Sequence, residues 1–230
     1  MKTTLKSILL IVIGMFITGI AAAGILPDVP APKKVVKEFS LTAPTEDPIK
    51  CFDESTKLIN LGVGFGGVGY YKGRKGSGYS YGRTPAFSLS YEQAIPKKVG
   101  PGYIGVGVYF GYQNAHQRYE DVYYAGNRYY YEHNWNYMMI AARGAYHFDF
   151  LNSERAEVYA GAIIGVRIQT YSYSTNSPDP DDNYKLNEGA VYPAYSLFAG
   201  ARWYFVKRVA FFAEAGYGIS FLTGGLTFKF

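Results

Sequence analysis

Leu222 to Phe230 reads LTGGLTFKF, and this closing segment decides the fold of the chain. Its residues alternate with the period of two that is typical of a β-strand. One side carries Leu222, Gly224, Leu226, Phe228 and Phe230, and the other carries Thr223, Gly225, Thr227 and Lys229. An apolar strand left at the edge of a soluble sheet invites aggregation. The pattern therefore favours a closed barrel, in which the last strand pairs with the first and its apolar side meets lipid.

The N-terminus has the layout of a secretory signal peptide. A short positive region with Lys2 and Lys6 is followed by an apolar run from Ile8 to Ile20 and then by the small residues Ala21 to Ala23. This order predicts that residues 1–23 are cleaved from the mature protein. The alternative is a retained membrane helix, because the apolar region is about 20 residues long, which is enough to span a bilayer.

The composition fits a fold whose strands show one face to lipid and hide the other. Aromatic residues make up 18% of the chain, with 24 Tyr and 15 Phe, while charged residues make up only 18%. After residue 26, no stretch is apolar enough for a spanning helix. The net charge of +5 in a secreted chain argues against a nucleic-acid partner. It favours contact with outer-membrane lipid and lipopolysaccharide.

Residues 24–56 are predicted to form a proline-rich periplasmic tail. Polar sequence that is rich in proline favours extended, poorly packed chain, and the segment is too short for a second core. Val35–Leu41 could instead form a short strand or a contact with the end of the barrel. Cys51 is the only cysteine of the chain and cannot form an internal disulfide.

From Lys57 onward the period of two persists to the end of the chain. The predicted strands are Lys57–Tyr71, Thr84–Ile95, Tyr103–Gln113, Asn136–Asp149, Glu157–Tyr171, Ala194–Val206, Val209–Ile219 and Leu222–Phe230. Eight such segments without a helix between them predict an all-β fold, an eight-stranded antiparallel up-and-down transmembrane barrel over residues 57–230. A secreted β-sandwich is the rival fold. Its polar face would carry Lys, Glu and Thr, whereas the second face here is mainly glycine with scattered Arg, Glu and Tyr.

The connections between the predicted strands alternate in length. The short ones are Pro96–Gly102, Phe150–Ala156 and Lys207-Arg208, and the long ones are Lys72–Arg83, Asn114–Trp135 and Ser172–Pro193. Outer-membrane barrels keep their periplasmic turns short and their extracellular loops long. The alternation therefore predicts a protein of the bacterial outer membrane with both termini in the periplasm.

Several charged residues fall on the inward positions of these strands. The predicted lumen charge network contains Glu92, Arg143, Arg167, Arg202, Glu214 and Lys229. A three-residue turn between the sixth and seventh strands would place Arg202 directly opposite Glu214. The network either fills the interior, which in an eight-stranded barrel is just wide enough for its own side chains, or lines a gated, ion-selective lumen.

From Lys57 to Phe230 the chain resembles the small eight-stranded outer-membrane barrels of the OmpX and OmpA-transmembrane type. More loosely, it resembles the porin-like barrels of Bacteroidetes-type bacteria. The resemblance rests on strand number, loop asymmetry, inward Arg and Glu, and the terminal aromatic residue. Phe228 and Phe230 resemble the C-terminal signal that the barrel-assembly machinery reads, which implies that machinery as a partner. The proline-rich tail departs from the pattern of these families.

Members of these families differ in function, so the fold alone does not fix the activity. The favoured function is a non-enzymatic protein that anchors in the membrane and displays loops for membrane integrity, adhesion or ligand interaction. The candidate surface-binding loop carries Arg118, Tyr119, Tyr123, Tyr124, Arg128, Tyr129, Tyr130, Tyr131 and Trp135. Tyr, Trp and Arg dominate binding hot spots, and an extracellular protein or glycan would be the ligand. The alternative is an aromatic girdle at the membrane interface.

Two other functions are open from the sequence. A small porin would pass ions or small solutes through the lumen. A lipid A-modifying enzyme is less favoured, because such chemistry needs a nucleophile or base with an orienting partner, and the three histidines are scattered. No metal or cofactor is expected, since Asp179, Asp181 and Asp182 lack the spacing of a calcium loop.

Overall fold

The computed structural model describes residues 50–67, 77–124, 127–151, 153–177 and 189–230, without the side chains at 121–124 and 127. All of these residues belong to one compact unit, Glu46–Phe230. The predicted signal peptide, the predicted tail up to residue 49 and its Val35–Leu41 segment lie outside the described residues. In the described part of the chain, no helix is long and apolar enough to cross a membrane.

The described residues form nine β-strands, and every pairing between them is antiparallel. The strands are β1 (Lys57–Phe65), β2 (Tyr79–Arg83), β3 (Ala86–Val99), β4 (Gly102–Tyr124), β5 (Asn127–Phe148), β6 (Ala156–Thr175), β7 (Gly189–Val206), β8 (Val209–Tyr217) and β9 (Leu222–Lys229).

Eight of these strands close into a ring. β1 pairs with β3, each later strand pairs with the next, and β9 pairs back onto β1. Leu61 opposite Leu226 and Asn60 opposite Thr227 are among the closing pairs. The short strand β2 stands apart from the ring and pairs with β4. The predicted eight-stranded antiparallel barrel is thus confirmed, and the LTGGLTFKF segment contains the strand that seals it.

Side chains alternate between an apolar outside and a mostly polar inside. In β1, Leu61 is 47% exposed whereas its neighbour Asn60 is 3% exposed. The exposed apolar belt includes Leu61, Val63, Phe87, Leu89, Val106, Val108, Phe110, Ile164, Leu197, Trp203 and Phe211. Monomeric soluble proteins rarely expose so large an apolar surface. It is the lipid-facing surface of a transmembrane barrel.

Three strands run well beyond the rim of the ring. The last pair of β3 with β4 is Phe87 with Tyr112, yet β4 continues to Tyr124. β5 pairs with β4 from Asn127 onward, β6 accompanies β5 up to Thr175, and β2 pairs with the opposite edge of β4. These four strands above the rim are called the extended sheet below.

The extended sheet corrects the predicted loops. Asn114–Trp135 was predicted to be a loop, but most of it forms the upper parts of β4 and β5. Parts of the other two long connections are also strand, since β2 includes Tyr79 and β7 begins at Gly189. The physical reason is that Tyr and other aromatic side chains stabilise cross-strand pairs, which extends the hairpin although its sequence is polar.

The two faces of the long strands exchange character at the rim. Going up the strands, the outward residue changes from Phe110 to Asn114 in β4 and from Ile168 to Thr170 in β6. Above this level most outward positions are polar and most inward positions are aromatic. The exchange marks the height at which the outer surface passes from lipid to water.

The β7–β8 hairpin corrects one predicted register. Its turn consists of two residues, Lys207-Arg208, rather than three. Phe205 is an extra residue on β7, a β-bulge that keeps inward residues opposite inward residues. Arg202 therefore pairs with Phe212, and the predicted pairing of Arg202 with Glu214 is wrong.

Candidate functional sites

Arg143 occupies the centre of the lumen and joins two carboxylates. Its Nε donates to Glu92 Oε2 at 3.1 Å, and its Nη2 donates to Glu214 Oε1 at 2.5 Å. The Tyr159 hydroxyl also donates to Glu214 Oε1, at 2.9 Å. The Phe198 ring lies 4.0 Å from the guanidinium carbon. The centre of the interior is therefore occupied by an ion-paired, hydrogen-bonded cluster.

A second group of charges lies beside this cluster, toward the end of the barrel that carries the short turns. His147 sits between two carboxylates, with Nε2 in contact with Glu92 Oε1 and Nδ1 3.4 Å from Glu157 Oε2. Arg202 donates from Nη1 to Glu157 Oε1 and lies 4.3 Å from the Tyr159 ring centroid. A doubly protonated imidazole would face both carboxylates as a donor and balance the charge of the cluster.

Inward glycines make room for these side chains. A Cβ added at Gly105 would collide with the Glu92 carboxylate, and one added at Gly200 would lie 2.8 Å from Glu214 Cγ. The small residues of the inner face therefore accommodate large neighbours from adjacent strands. The space beside Gly105 thus holds the Glu92 carboxylate.

The other two residues of the predicted lumen network lie elsewhere. Arg167 is further toward the extended sheet, with its guanidinium carbon 5.3 Å from the centroid of the Tyr192 ring. Lys229 is at the opposite end, where its Nζ donates to the carbonyls of Lys50 and Cys51 at 2.8 Å and 3.1 Å. The structure thus joins Glu92, Arg143 and Glu214 directly, and links Arg202 to them through Glu157 and His147.

Sequence reasoning missed the role of Glu157 and His147. Glu157 was named only as the first residue of a strand, and His147 was counted only as one of three scattered histidines. Strand alternation was the available signal, because Glu157 precedes the inward Tyr159 by two residues and so points into the lumen. Their contact across β5 and β6 needs the observed pairing of His147 with Tyr159.

A segment that precedes the first strand covers the short-turn end of the lumen. In Lys50–Thr56, the Phe52 ring stacks on the His147 ring with 3.6 Å between centroids and an interplanar angle of 3°. Cys51 Sγ donates to the Ser153 carbonyl at 3.0 Å. Burial raises the pKa of the Cys51 thiol to about 12. We call this segment the N-terminal plug.

Ion pairs fasten the N-terminal plug to the turns. Asp149 Oδ2 accepts from Lys50 Nζ at 2.9 Å and from Lys98 Nζ at 2.7 Å. Partial burial opposes ionisation of Asp149, but the hydrogen bonds from Lys98 and Lys50 outweigh it and hold its pKa below the usual value. The sequence had predicted a poorly packed tail up to Thr56, and for these last residues that prediction is wrong.

Above the rim, the inner face of the extended sheet is rich in aromatic side chains. Three rows run across β2, β4, β5 and β6 in register. They are Arg83, Ala115, Trp135 and Tyr171; then Tyr81, Gln117, His133 and Tyr173; then Tyr79, Tyr119, Tyr131 and Thr175. We call these twelve positions the aromatic face.

Rings on the aromatic face contact one another. The Tyr79 and Tyr119 centroids are 4.3 Å apart, and the His133 centroid is 5.2 Å from that of Tyr173. His133 Nδ1 and the Tyr171 hydroxyl form a hydrogen bond of 2.7 Å. These contacts hold the rings in place although the side chains are only partly buried.

The outer face of the extended sheet carries charges that neutralise one another. Arg118 pairs with Glu120 at 2.5 Å and with Glu132 at 3.3 Å, and Arg128 lies 3.8 Å from Glu120. The Arg118 guanidinium also stacks on the Tyr130 ring, 4.1 Å from its centroid. Exposed pairs of this kind contribute little stability, but the charges of these two arginines and two glutamates cancel.

The nine residues of the candidate surface-binding loop are therefore divided between two faces. Tyr119, Tyr131 and Trp135 belong to the aromatic face, and Tyr129 continues the same series by alternation. Arg118, Arg128 and Tyr130 alternate with these residues and belong to the outer face. The side chains of Tyr123 and Tyr124 lie outside what the structure describes. At the other end of the chain, Phe228 pairs with Ile59, and Phe230 is 66% exposed.

Comparisons with known proteins give structural neighbours. No family model and no curated protein matches the sequence. The chain resembles small outer-membrane barrels of the OmpX and OmpA type. The N-terminal β-barrel domain of Pseudomonas aeruginosa OprF is 14% identical, covers 77% of this chain and 98% of its own, and gives a TM-score of 0.36.

Another neighbour is Ail, the attachment invasion locus protein of Yersinia pestis. Its structure in complex with the heparin analogue sucrose octasulfate is 12% identical to this chain. The match covers 76% of this chain and 94% of Ail, with a TM-score of 0.37. The closed ring of eight strands is established by the strand pairings described above, independently of both likenesses.

Proposed function

We propose that the protein is a non-enzymatic component of the bacterial outer membrane, which anchors the extended sheet and displays it at the cell surface. The barrel is the anchor, with both termini in the periplasm and the extended sheet outside the cell. The sheet serves adhesion or ligand interaction, with an extracellular glycan or protein as the partner. Lipopolysaccharide surrounds the barrel, and Phe228 and Phe230 supply the signal for the barrel-assembly machinery.

The exchange of polarity at the rim carries this proposal. In β4, the outward Phe110 within the ring is suited to contact with lipid, and the outward Asn114 above the rim is suited to contact with water. Strand pairing continues across this level without interruption, so the sheet above the membrane is held rigidly by the barrel below it. An anchored, preorganised surface is what a binding protein needs, because less freedom is lost when a ligand binds.

The buried charges favour display over transport. Arg143 and Glu92 are 2% and 0% exposed, and they cross the lumen at its centre. A small porin would need an open path at this level, and the cluster of Arg143, Glu92 and Glu214 occupies it. The Phe52 ring of the N-terminal plug lies over the same path at the short-turn end.

Cysteine labelling in intact cells tests the proposed orientation. In a Cys51→Ser background, Ser174→Cys places a thiol on the outer face of the extended sheet, and Arg208→Cys places one in the β7–β8 turn. A membrane-impermeant maleimide should label the first variant on intact cells and the second only after lysis. If only the turn is labelled on intact cells, the orientation is the opposite of the one proposed. If neither variant is labelled on intact cells, the protein does not lie in the outer membrane with the extended sheet outside.

A further inference from the structure

We infer that the aromatic face binds an acidic oligosaccharide; this rests on the proposed display of the extended sheet outside the cell. Of its twelve positions, seven carry Tyr or Trp, namely Tyr79, Tyr81, Tyr119, Tyr131, Trp135, Tyr171 and Tyr173. Rings held in place by neighbouring rings offer apolar surfaces to the C–H faces of sugars. Their hydroxyl and indole N–H groups offer hydrogen bonds at the edges.

Charge on the aromatic face favours an acidic sugar over a neutral one. The twelve positions include Arg83 but no Asp or Glu, and burial lowers the pKa of His133, so that this ring adds no charge at neutral pH. Arg167 lies on the same inward series of β6, four residues below Tyr171. The carboxylates Glu120 and Glu132 are on the opposite face, where they pair with arginines. The aromatic face is therefore complementary to an anion, and a guanidinium can bind a carboxylate or sulfate as a fork.

A buried amide adds a second, independent observation. Gln117 lies at the centre of the aromatic face and is 6% exposed. Its Oε1 has no hydrogen-bond partner among the described residues. A buried acceptor without a partner is costly, and a hydroxyl donor from a bound sugar would satisfy it.

The size of the aromatic face favours a glycan over a folded protein. Four strands spaced by about 4.8 Å and three rows spaced by about 6.8 Å cover an area roughly 15 Å on a side. That is roughly 200 Å², well below the roughly 800 Å² that each partner buries in a typical protein–protein interface. The face also continues the wall of a narrow barrel, so it is concave toward the lumen axis.

Fluorescence of Trp135 provides a direct test. The chain has two tryptophans, and Trp203→Phe on the lipid-facing side leaves Trp135 as the only one. The refolded Trp203→Phe protein in detergent micelles is titrated with three hexasaccharides: carboxylated oligogalacturonate, sulfated heparin and neutral cellohexaose. We expect a saturable change of Trp135 emission with at least one acidic probe and weaker binding of the neutral one.

Matched variants separate the aromatic face from the rest of the sheet. Tyr171→Ala and Arg83→Gln should each weaken binding of the acidic probe about tenfold. Tyr130→Ala and Arg118→Gln, on the outer face, should change it less than about twofold. A folded barrel migrates differently in a detergent gel before and after boiling. If Tyr171→Ala lacks this difference and is therefore unfolded, Tyr173→Ala takes its place.

In the sugar titrations, three outcomes would overturn the inference. The first is that no acidic probe binds saturably, and the second is that cellohexaose binds as tightly as the acidic probes. The third is that the outer-face variants lose as much affinity as the variants of the aromatic face. If the acidic probes fail while Ser174→Cys is still labelled on intact cells, the inference fails and the proposed display remains. If an acidic peptide of the same charge binds more tightly than either acidic sugar, the partner is a protein and the glycan assignment is wrong.

Discussion

Arg143 is the residue on which the filled lumen depends most. It supplies the positive charge for both Glu92 and Glu214; Arg143 and Glu92 are buried, and the Glu214 side chain is 11% exposed. Removing one partner from such a cluster leaves uncompensated charge in a medium of low dielectric constant. We expect Arg143→Met to lower the free energy of unfolding by about 3–5 kcal/mol, measured by urea unfolding of the refolded barrel in vesicles.

Two further variants show whether charge or packing is responsible. Arg155→Met changes an exposed arginine in a turn and should cost less than about 1 kcal/mol. Arg143→Met combined with Glu214→Gln should recover part of the loss, because one of the stranded carboxylates is then neutral. A loss for Arg143→Met no larger than that for Arg155→Met would show that the cluster does not stabilise the barrel.

Strand alternation alone was enough to predict several of the charges that point inward, although Glu157 was missed. Glu92, Arg143 and Glu214 follow directly from the period of two. Which charge meets which could not be predicted, because it depends on register. A bulge of one residue at Phe205 moves Arg202 away from Glu214. The sequence does not reveal whether an extra residue lies in a turn or in a strand.

The N-terminal plug is the element for which the sequence was least informative. The prolines and mixed charges of residues 24–56 suggested loose chain, yet Phe52 and Cys51 in the plug are 4% and 6% exposed. The contact of Phe52 with His147 joins residues far apart in the sequence, and no local pattern encodes it. In contrast, the seal between β1 and β9 was foreseeable, because both strands carry a clear apolar side.

The packing of the plug predicts an inert thiol at Cys51. Because burial raises its pKa to about 12, the thiol stays neutral at pH 8, and the nucleophilic thiolate is scarce. We expect iodoacetamide to leave Cys51 unmodified in the folded barrel and to alkylate it fully in the denatured chain, as measured by mass spectrometry.

Loosening the plug should restore ordinary reactivity. Phe52→Ala removes the ring that stacks on His147, and alkylation of Cys51 at pH 8 should then approach the rate of the denatured protein. Phe150→Ala changes a phenylalanine that is 66% exposed and should leave Cys51 protected. Rapid alkylation of the unmodified folded protein would show that the segment does not pack as described.

At the scale of the whole molecule, the position of the barrel in lipid depends on an apolar belt and on the level at which that belt ends. The belt of outward apolar side chains fixes the position of the barrel in lipid, and the exchange of polarity above Phe110 ends that belt. The sequence predicted the belt well, because it depends only on alternation. The upper ends of β4, β5 and β6 were misplaced, because strands that continue into water resemble loops in composition.

The same organisation predicts that the barrel is closed to ions. The Arg143 cluster fills the centre, and the N-terminal plug covers one end, so water and ions lack a continuous path through the described lumen. We expect the refolded full chain to be silent in planar bilayers, with boiled protein in the same detergent as the control. Reproducible conductance steps would contradict this expectation. If Arg202→Ala and Glu214→Ala then changed the ion selectivity of those steps, the protein would be a small pore and the display function would need to be reconsidered.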